Sequence, residues 1–158
     1  KIVFYEGIMK YADTPDYIAV VMGHEMAHAI AKHGNERMSQ QSVMNLIGSA
    51  AGEIIGEKKG AAAQNLFNIG FAVGSQAGVL LPYSRKHEYE ADFMGIAFME
   101  LAGYDSTAAL DFWTKMASLS GNNSSHTSDF LSTHPSDHKR IAELQKRIPE
   151  AKALAEAR

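Results

Sequence analysis

The sequence predicts a mainly α protein with a small β element, and three observations predict it. Apolar residues recur at intervals of three and four through most of the chain. The one strand-like run, KIVFY at Lys1–Tyr5, is short. Gly, Pro, Thr and Asp punctuate the periodic segments where helices start and stop. The 158 residues carry 15 Lys and Arg against 18 Asp and Glu, a formal charge of −3. That mild acidity argues against a nucleic-acid binder, which concentrates basic charge on one face. An apolar content of 46% excludes a largely disordered chain. Without cysteine there is no disulfide or thiolate chemistry, so any metal must be held by His and carboxylates. Length fits a single domain over 1–158. The abrupt opening at Lys1 reads as an N-terminally trimmed fragment whose targeting region has been removed.

After the strand, Gly7–Asp13 reads as a connection. Thr14 is an N-cap, with Pro15 at the first helical position and Asp16 meeting free amides in the first turn. Ile18, Val21, Met22, Met26 and Ile30 then repeat at helical spacing, and Gly34 reads as the C-cap of a helix over Pro15–His33. From Gln40 to Leu80 the chain is rich in Gly, Ala and Ser. It reads as two helices broken around Glu57–Gly60. Leu66–Leu81 is about 16 residues long, short of the ~20 that span a bilayer, and reads as a buried helix with interfacial contact as the alternative. Pro82 ends that stretch. A helix over Arg85–Leu101 stops at Gly103, and Asp105 or Ser106 caps another through Leu119, on which Trp113 is a core or groove-edge aromatic. Residues Ser120–Asp129 lack apolar anchors and read as a surface loop. Ser136 caps a last helix to Ile148, where Pro149 interrupts it.

His24-Glu25-Met26-Ala27-His28 is HExxH. Residues four apart share a helical face, so both imidazoles reach one metal while Glu25 can address a water bound beside it. With 7 His in the chain, about 0.02 accidental matches are expected, and this one falls on the best-defined helix. Zinc suits such ligands. A third ligand is needed, and Glu53, Glu57, His87, Glu88, Glu90, Asp92, His126, His134 and His138 are candidates. Glu88 is the best placed: it and Asp92 lie one turn apart on a second strong helix. That spacing suits Glu88 as ligand and Asp92 as acceptor from a ligand imidazole. The competing reading makes Glu88 and Glu90 acids favoured by the helix dipole. His33, His87, His126 and His138 read as non-ligands. Met22, Met26, Met94 and Met99 read as core fillers.

HEMAH, SRKHEYEAD and STHPSDHKRI, in that order, resemble the M48 family of zinc metallopeptidases over about Val3–Ile148. The chain looks most like the Oma1-, BepA- and LoiP-like group, which is soluble or peripherally attached. The resemblance implies a gluzincin-like core with one zinc ion on His24, His28 and Glu88. It makes Glu25 the general base and Asp92 the carboxylate behind the ligands, and it has Arg85 bracing the helix of Glu88. His134 matches the histidine before proline and Arg140 the arginine of the following helix. We assign His134 as donor to the developing oxyanion, with Arg140 supporting it or contributing directly. The expected activity is hydrolysis of unfolded or misassembled polypeptides by Glu25-assisted attack of zinc-bound water. The alternative is a latent zinc-bound module, blocked until a partner or missing segment opens it. His134 could occupy the metal in such a state. The implied setting is a bacterial cell envelope, periplasmic or peripherally membrane-associated, with a membrane-associated partner and no nucleic acid.

Overall fold

The computed structural model describes residues 6–120, 134 and 138–157. The expected strand Lys1–Tyr5, the loop to Asp129 and the Ser136 cap lie outside them. Among the described residues the structure is helical, with no strand. A 3₁₀ turn at Glu6–Ile8 precedes α1 (Pro15–Ile30), α2 (His33–Lys59), α3 (Ala61–Ser75), a π turn (Gln76–Leu80), α4 (Leu81–Leu101), α5 (Ala108–Ser120) and α6 (His138–Glu156). These divide into two compact units, one of Lys1–Ala31 with Glu88–Arg158, the other of Lys32–His87.

The first unit holds the core. Val20 and Val21 of α1, Ile96 and Met99 of α4, Phe112, Trp113 and Met116 of α5, and Leu144 and Ile148 of α6 are all buried together. α1 starts as its sequence dictates: Thr14 is extended and its Oγ1 accepts from Tyr17 N at 3.1 Å, with Pro15 in the first turn. Its end differs from expectation. The helix stops at Ile30, Lys32 takes a left-handed conformation (φ 59°), and Gly34 lies inside α2. A left-handed lysine costs roughly 1–2 kcal/mol, so the break falls at a residue that disfavours it rather than at the glycine two positions on. Before α5, the Asp105 carboxylate accepts from Thr107 N and Oγ1, as a capping acid should.

Both expected proline breaks are absent. Pro149 sits inside α6, which runs on to Glu156. Leu144, Ile148 and Ala151 continue one buried stripe across it, while Pro149 itself is exposed. The carbonyl left without its partner is that of Gln145, itself exposed, where solvent can replace the lost bond and soften the ~3 kcal/mol penalty. Pro82 likewise lies within the first turn of α4. The preceding π turn closes with Leu81 N donating to Gln76 O, a wider pairing than the α-helical one just before a residue that has no N–H to donate.

In the second unit, Gly60 (φ 88°) breaks α2 from α3 within the expected interval. α2 begins at His33, seven residues before the expected Gln40. α3 is not the buried helix expected of Leu66–Leu81: it has no buried residue. The side chains it turns toward α2 are Gln64, Asn68 and Phe71, which lie against Gly56, Gly52 and Gly48.

In the first unit, α1 and α4 cross with their backbones almost touching. A Cβ on Gly23 would lie 2.8 Å from Gly95 O, and one on Gly95 would lie 3.0 Å from His24 N. This crossing brings the HExxH turn of α1 against the Glu88–Asp92 turn of α4. Gly95→Ala is therefore expected to destabilise the chain by about 1–3 kcal/mol, read as a lower thermal unfolding midpoint. An unchanged midpoint would show that the crossing tolerates a side chain.

Candidate metal centre

His24 and His28 are four residues apart on α1, and Glu88 and Asp92 four apart on α4, so each helix presents two functional groups on one face. His24, His28, Glu88 and His134 each offer a ligand atom, and these atoms lie within 4.8 Å of one another. His24 Nε2 is 3.0 Å from His28 Nε2, 3.2 Å from His134 Nδ1 and 3.4 Å from Glu88 Oε2. Glu88 Oε1 is 3.3 Å from His28 Nε2 and 3.2 Å from His134 Nδ1. Donors held ~2.0–2.2 Å from a tetrahedral ion stand roughly 3.3–3.6 Å apart. The separations thus approach the edges of such a polyhedron. Three imidazole nitrogens converging on one carboxylate fit a shared cation better than a set of hydrogen bonds.

Glu25 stands beside this cluster. Its Oε1 is buried and has no hydrogen-bond partner, and it lies 3.4 Å from His134 Nε2. A carboxylate oxygen left open next to a ligand set is what a proton-accepting group there requires.

Behind the ligands the polar atoms are paired. His24 Nδ1 is 3.0 Å from Asp92 Oδ1; donating there leaves the Nε2 lone pair facing the cluster. Arg140 is buried and donates from Nε and Nη2 to the two oxygens of Asp92 at 2.6 and 2.7 Å. Its Nη1 lies 3.0 Å from Glu88 Oε2. The guanidinium also lies 3.8 Å over the Trp113 ring, whose edge meets His24 at 5.3 Å between centroids.

The electrostatics follow from this pairing. Burial alone would raise Glu88, but hydrogen bonds from His134, His24 and His28 hold it far below the usual carboxylate range. Burial likewise opposes ionisation of Asp92, and the Arg140 charge and hydrogen bonds outweigh it. His24 is raised because its bonds to Asp92 and Glu88 overcome burial, whereas burial and the neighbouring imidazole charges push His28 down to about 4.

Six of the residues singled out from sequence thus come together: His24, Glu25, His28, Glu88, Asp92 and His134. Arg140, expected to support His134 or to contribute directly, contacts Asp92 and Glu88. Arg85, expected to brace the helix of Glu88, is exposed and makes no ion pair or hydrogen bond among the described residues. Trp113 is buried beneath Arg140, a placement that periodicity could not distinguish from ordinary core. Glu90, Glu53, Glu57 and His138 are exposed, and His126 lies outside the described residues. In the second unit, His33 and His87 stack at 4.3 Å, and His87 Nε2 meets Glu36 Oε2 at 2.8 Å.

Loading a metal requires both HExxH imidazoles to lack a proton on the coordinating nitrogen. Because His24 is raised, protons compete from above its ordinary value of 6.5. Metal affinity is therefore expected to fall as pH is lowered through a window that opens above 6.5, by up to tenfold per unit below the His24 value. Competition with a chromophoric chelator measures this, and a flat affinity across that window would count against a histidine-held ion.

The comparisons with known proteins agree with this chemistry. The family model described as Peptidase family M48 matches residues 1–148. The mitochondrial metalloendopeptidase OMA1 of Schizosaccharomyces pombe is 34% identical over 99% of this chain and 43% of its own length. OMA1 of Arabidopsis thaliana is 31% identical over 99% of the chain and 29% of its own. The beta-barrel assembly-enhancing protease of Escherichia coli is 25% identical over 98% of the chain and 32% of its own. This chain therefore spans less than half the length of these relatives. No solved structure matches it significantly. With the family model covering nearly the whole sequence, the HExxH pair and the Glu88 turn converging as such chemistry requires, the chain belongs to the M48 family of metallopeptidases.

Proposed function

We propose that the chain is a zinc-dependent endopeptidase acting on unfolded or misassembled polypeptides. The observation that carries this reading is the convergence of His24 Nε2, His28 Nε2 and a Glu88 oxygen, with the open carboxylate of Glu25 alongside. His24, His28 and Glu88 would hold the ion. When bound, zinc supplies Lewis-acid polarisation of a carbonyl and acidification of water. Glu25 accepts the proton of the attacking water and returns it to the departing amine. Asp92 keeps His24 in the tautomer that presents Nε2, and Arg140 holds Asp92 and Glu88 ionised and oriented. The relatives named above are proteases of mitochondria and of bacteria. For this chain we propose a bacterial envelope setting, periplasmic or peripheral to the membrane.

A second reading is favoured by the placement of His134. Its Nδ1 is 3.2 Å from both Glu88 oxygens and from His24 Nε2, and its Nε2 faces Glu25. A histidine there takes the space that water and a substrate carbonyl need. The resting site would then be latent, and His134 would become an oxyanion donor only after moving.

Hydrolysis of unfolded casein, measured beside zinc content, tests both readings. Glu25→Gln is expected to keep zinc and lose hydrolysis, and Glu88→Gln to lose zinc on dialysis. Full activity of Glu25→Gln would remove the general-base assignment. If His134 serves as donor, His134→Ala slows turnover by about 10²–10³. If it serves chiefly as a plug, the same substitution speeds turnover.

A further inference from the structure

The α2–α3 hairpin distributes polarity in the reverse of the soluble pattern. A helix pair in water turns apolar side chains inward and polar ones out. Here the contacts between the two helices run through Gly48, Gly52 and Gly56, spaced by four on α2, against Phe71, Asn68 and Gln64. The apolar residues point away: Leu66, Ile69 and Val73 of α3 are 75%, 65% and 65% exposed, and Leu46 and Ile54 of α2 are 71% and 53% exposed. On α3 those three lie at intervals of three and four and so form one stripe. Small residues at the contact and large apolar ones on the outside are how helices pack when lipid is the surroundings.

Charge points the same way. Residues 61–84 contain no Asp, Glu, Lys, Arg or His, and this run is bracketed by Lys58 and Lys59 before it and Arg85 and Lys86 after it. All four of these bases are exposed. The unit Lys32–His87 holds six Lys and Arg (Lys32, Arg37, Lys58, Lys59, Arg85, Lys86) and three acids (Glu36, Glu53, Glu57). It is thus formally +3 in a chain that is −3 as a whole. Exposed apolar side chains rimmed by exposed bases complement a bilayer with anionic headgroups.

We propose that the α2–α3 hairpin docks in the interface of an anionic lipid bilayer, with Leu66, Ile69 and Val73 sunk among the acyl chains and the flanking bases at the headgroups. By length and composition Ala61–Leu101 would suffice to cross a membrane. Crossing as a hairpin, however, would carry Glu53, Glu57, Lys58 and Lys59 through the hydrocarbon, and lying along the surface does not. The docking is independent of the proteolytic reading, because it uses none of the residues of the metal cluster.

Flotation of the whole chain with vesicles of phosphatidylcholine, with and without phosphatidylglycerol, tests it. The chain is expected to float with the anionic vesicles, about tenfold less with the neutral ones, and less as salt is raised. Leu66→Glu/Ile69→Glu/Val73→Glu should reduce flotation at least ~tenfold. Its circular dichroism should be unchanged, since all three side chains already face outward. Lys58→Glu/Lys59→Glu, which leaves the apolar stripe intact, should abolish the preference for anionic vesicles. Failure of the chain to float with either vesicle would overturn the proposal. So would a triple variant that floats like the parent. Dimerisation in vesicle-free buffer that the triple variant abolishes, without flotation, would assign the face to a second copy instead.

Discussion

Two carboxylates, Glu88 and Asp92, are buried one helical turn apart, and the permanent cation against them is Arg140. Like charges at that spacing repel, and removing each from water costs several kcal/mol. The guanidinium meets this demand with three contacts of 3.0 Å or less and is itself held against the face of Trp113. One positive charge set against two negative ones still leaves a deficit. The imidazoles His24, His28 and His134 gather on the side where a cation would remedy it. The charge imbalance and the ligand geometry therefore describe the same place.

That arrangement depends on how closely two helices can approach. Glycine at both Gly23 and Gly95 lets the α1 and α4 backbones meet with no intervening side chain. Across this approach the short Asp92 side chain reaches His24 Nδ1 at 3.0 Å. The core residues around the crossing, Val20, Val21, Ile96 and Met99 among them, are buried tightly enough to hold it. Function here rests on backbone proximity as much as on the ligand types.

The two units solve the problem of apolar surface in opposite ways. The metal-bearing unit encloses its large apolar side chains, with Phe112, Trp113 and Met116 almost inaccessible. The hairpin unit brings glycines and amides to its internal contact and leaves leucine, isoleucine and valine outside. Such a surface exceeds the scattered apolar exposure usual for soluble proteins and calls for an apolar neighbour.

Local chemistry determined a good deal of this protein. The spacing of His24 and His28 on a periodic helix, the Thr14–Pro15 start and the break within Glu57–Gly60 need only neighbouring residues, and the fold contains each of them. The tertiary structure decided the rest. Glu88 stands apart from Glu90 only because the α1–α4 crossing turns its face of α4, and not the opposite one, toward the histidines. Arg140, more than a hundred residues after His24 in the chain, carries no local sign that it will face Asp92. Pro82 and Pro149 look like breaks in isolation, yet a π turn accommodates one and a continuous buried stripe carries the helix past the other. The exposure of α3 was hidden for a similar reason: periodicity reports that a helix has an apolar face, but which surroundings that face meets depends on where its polar face finds a partner.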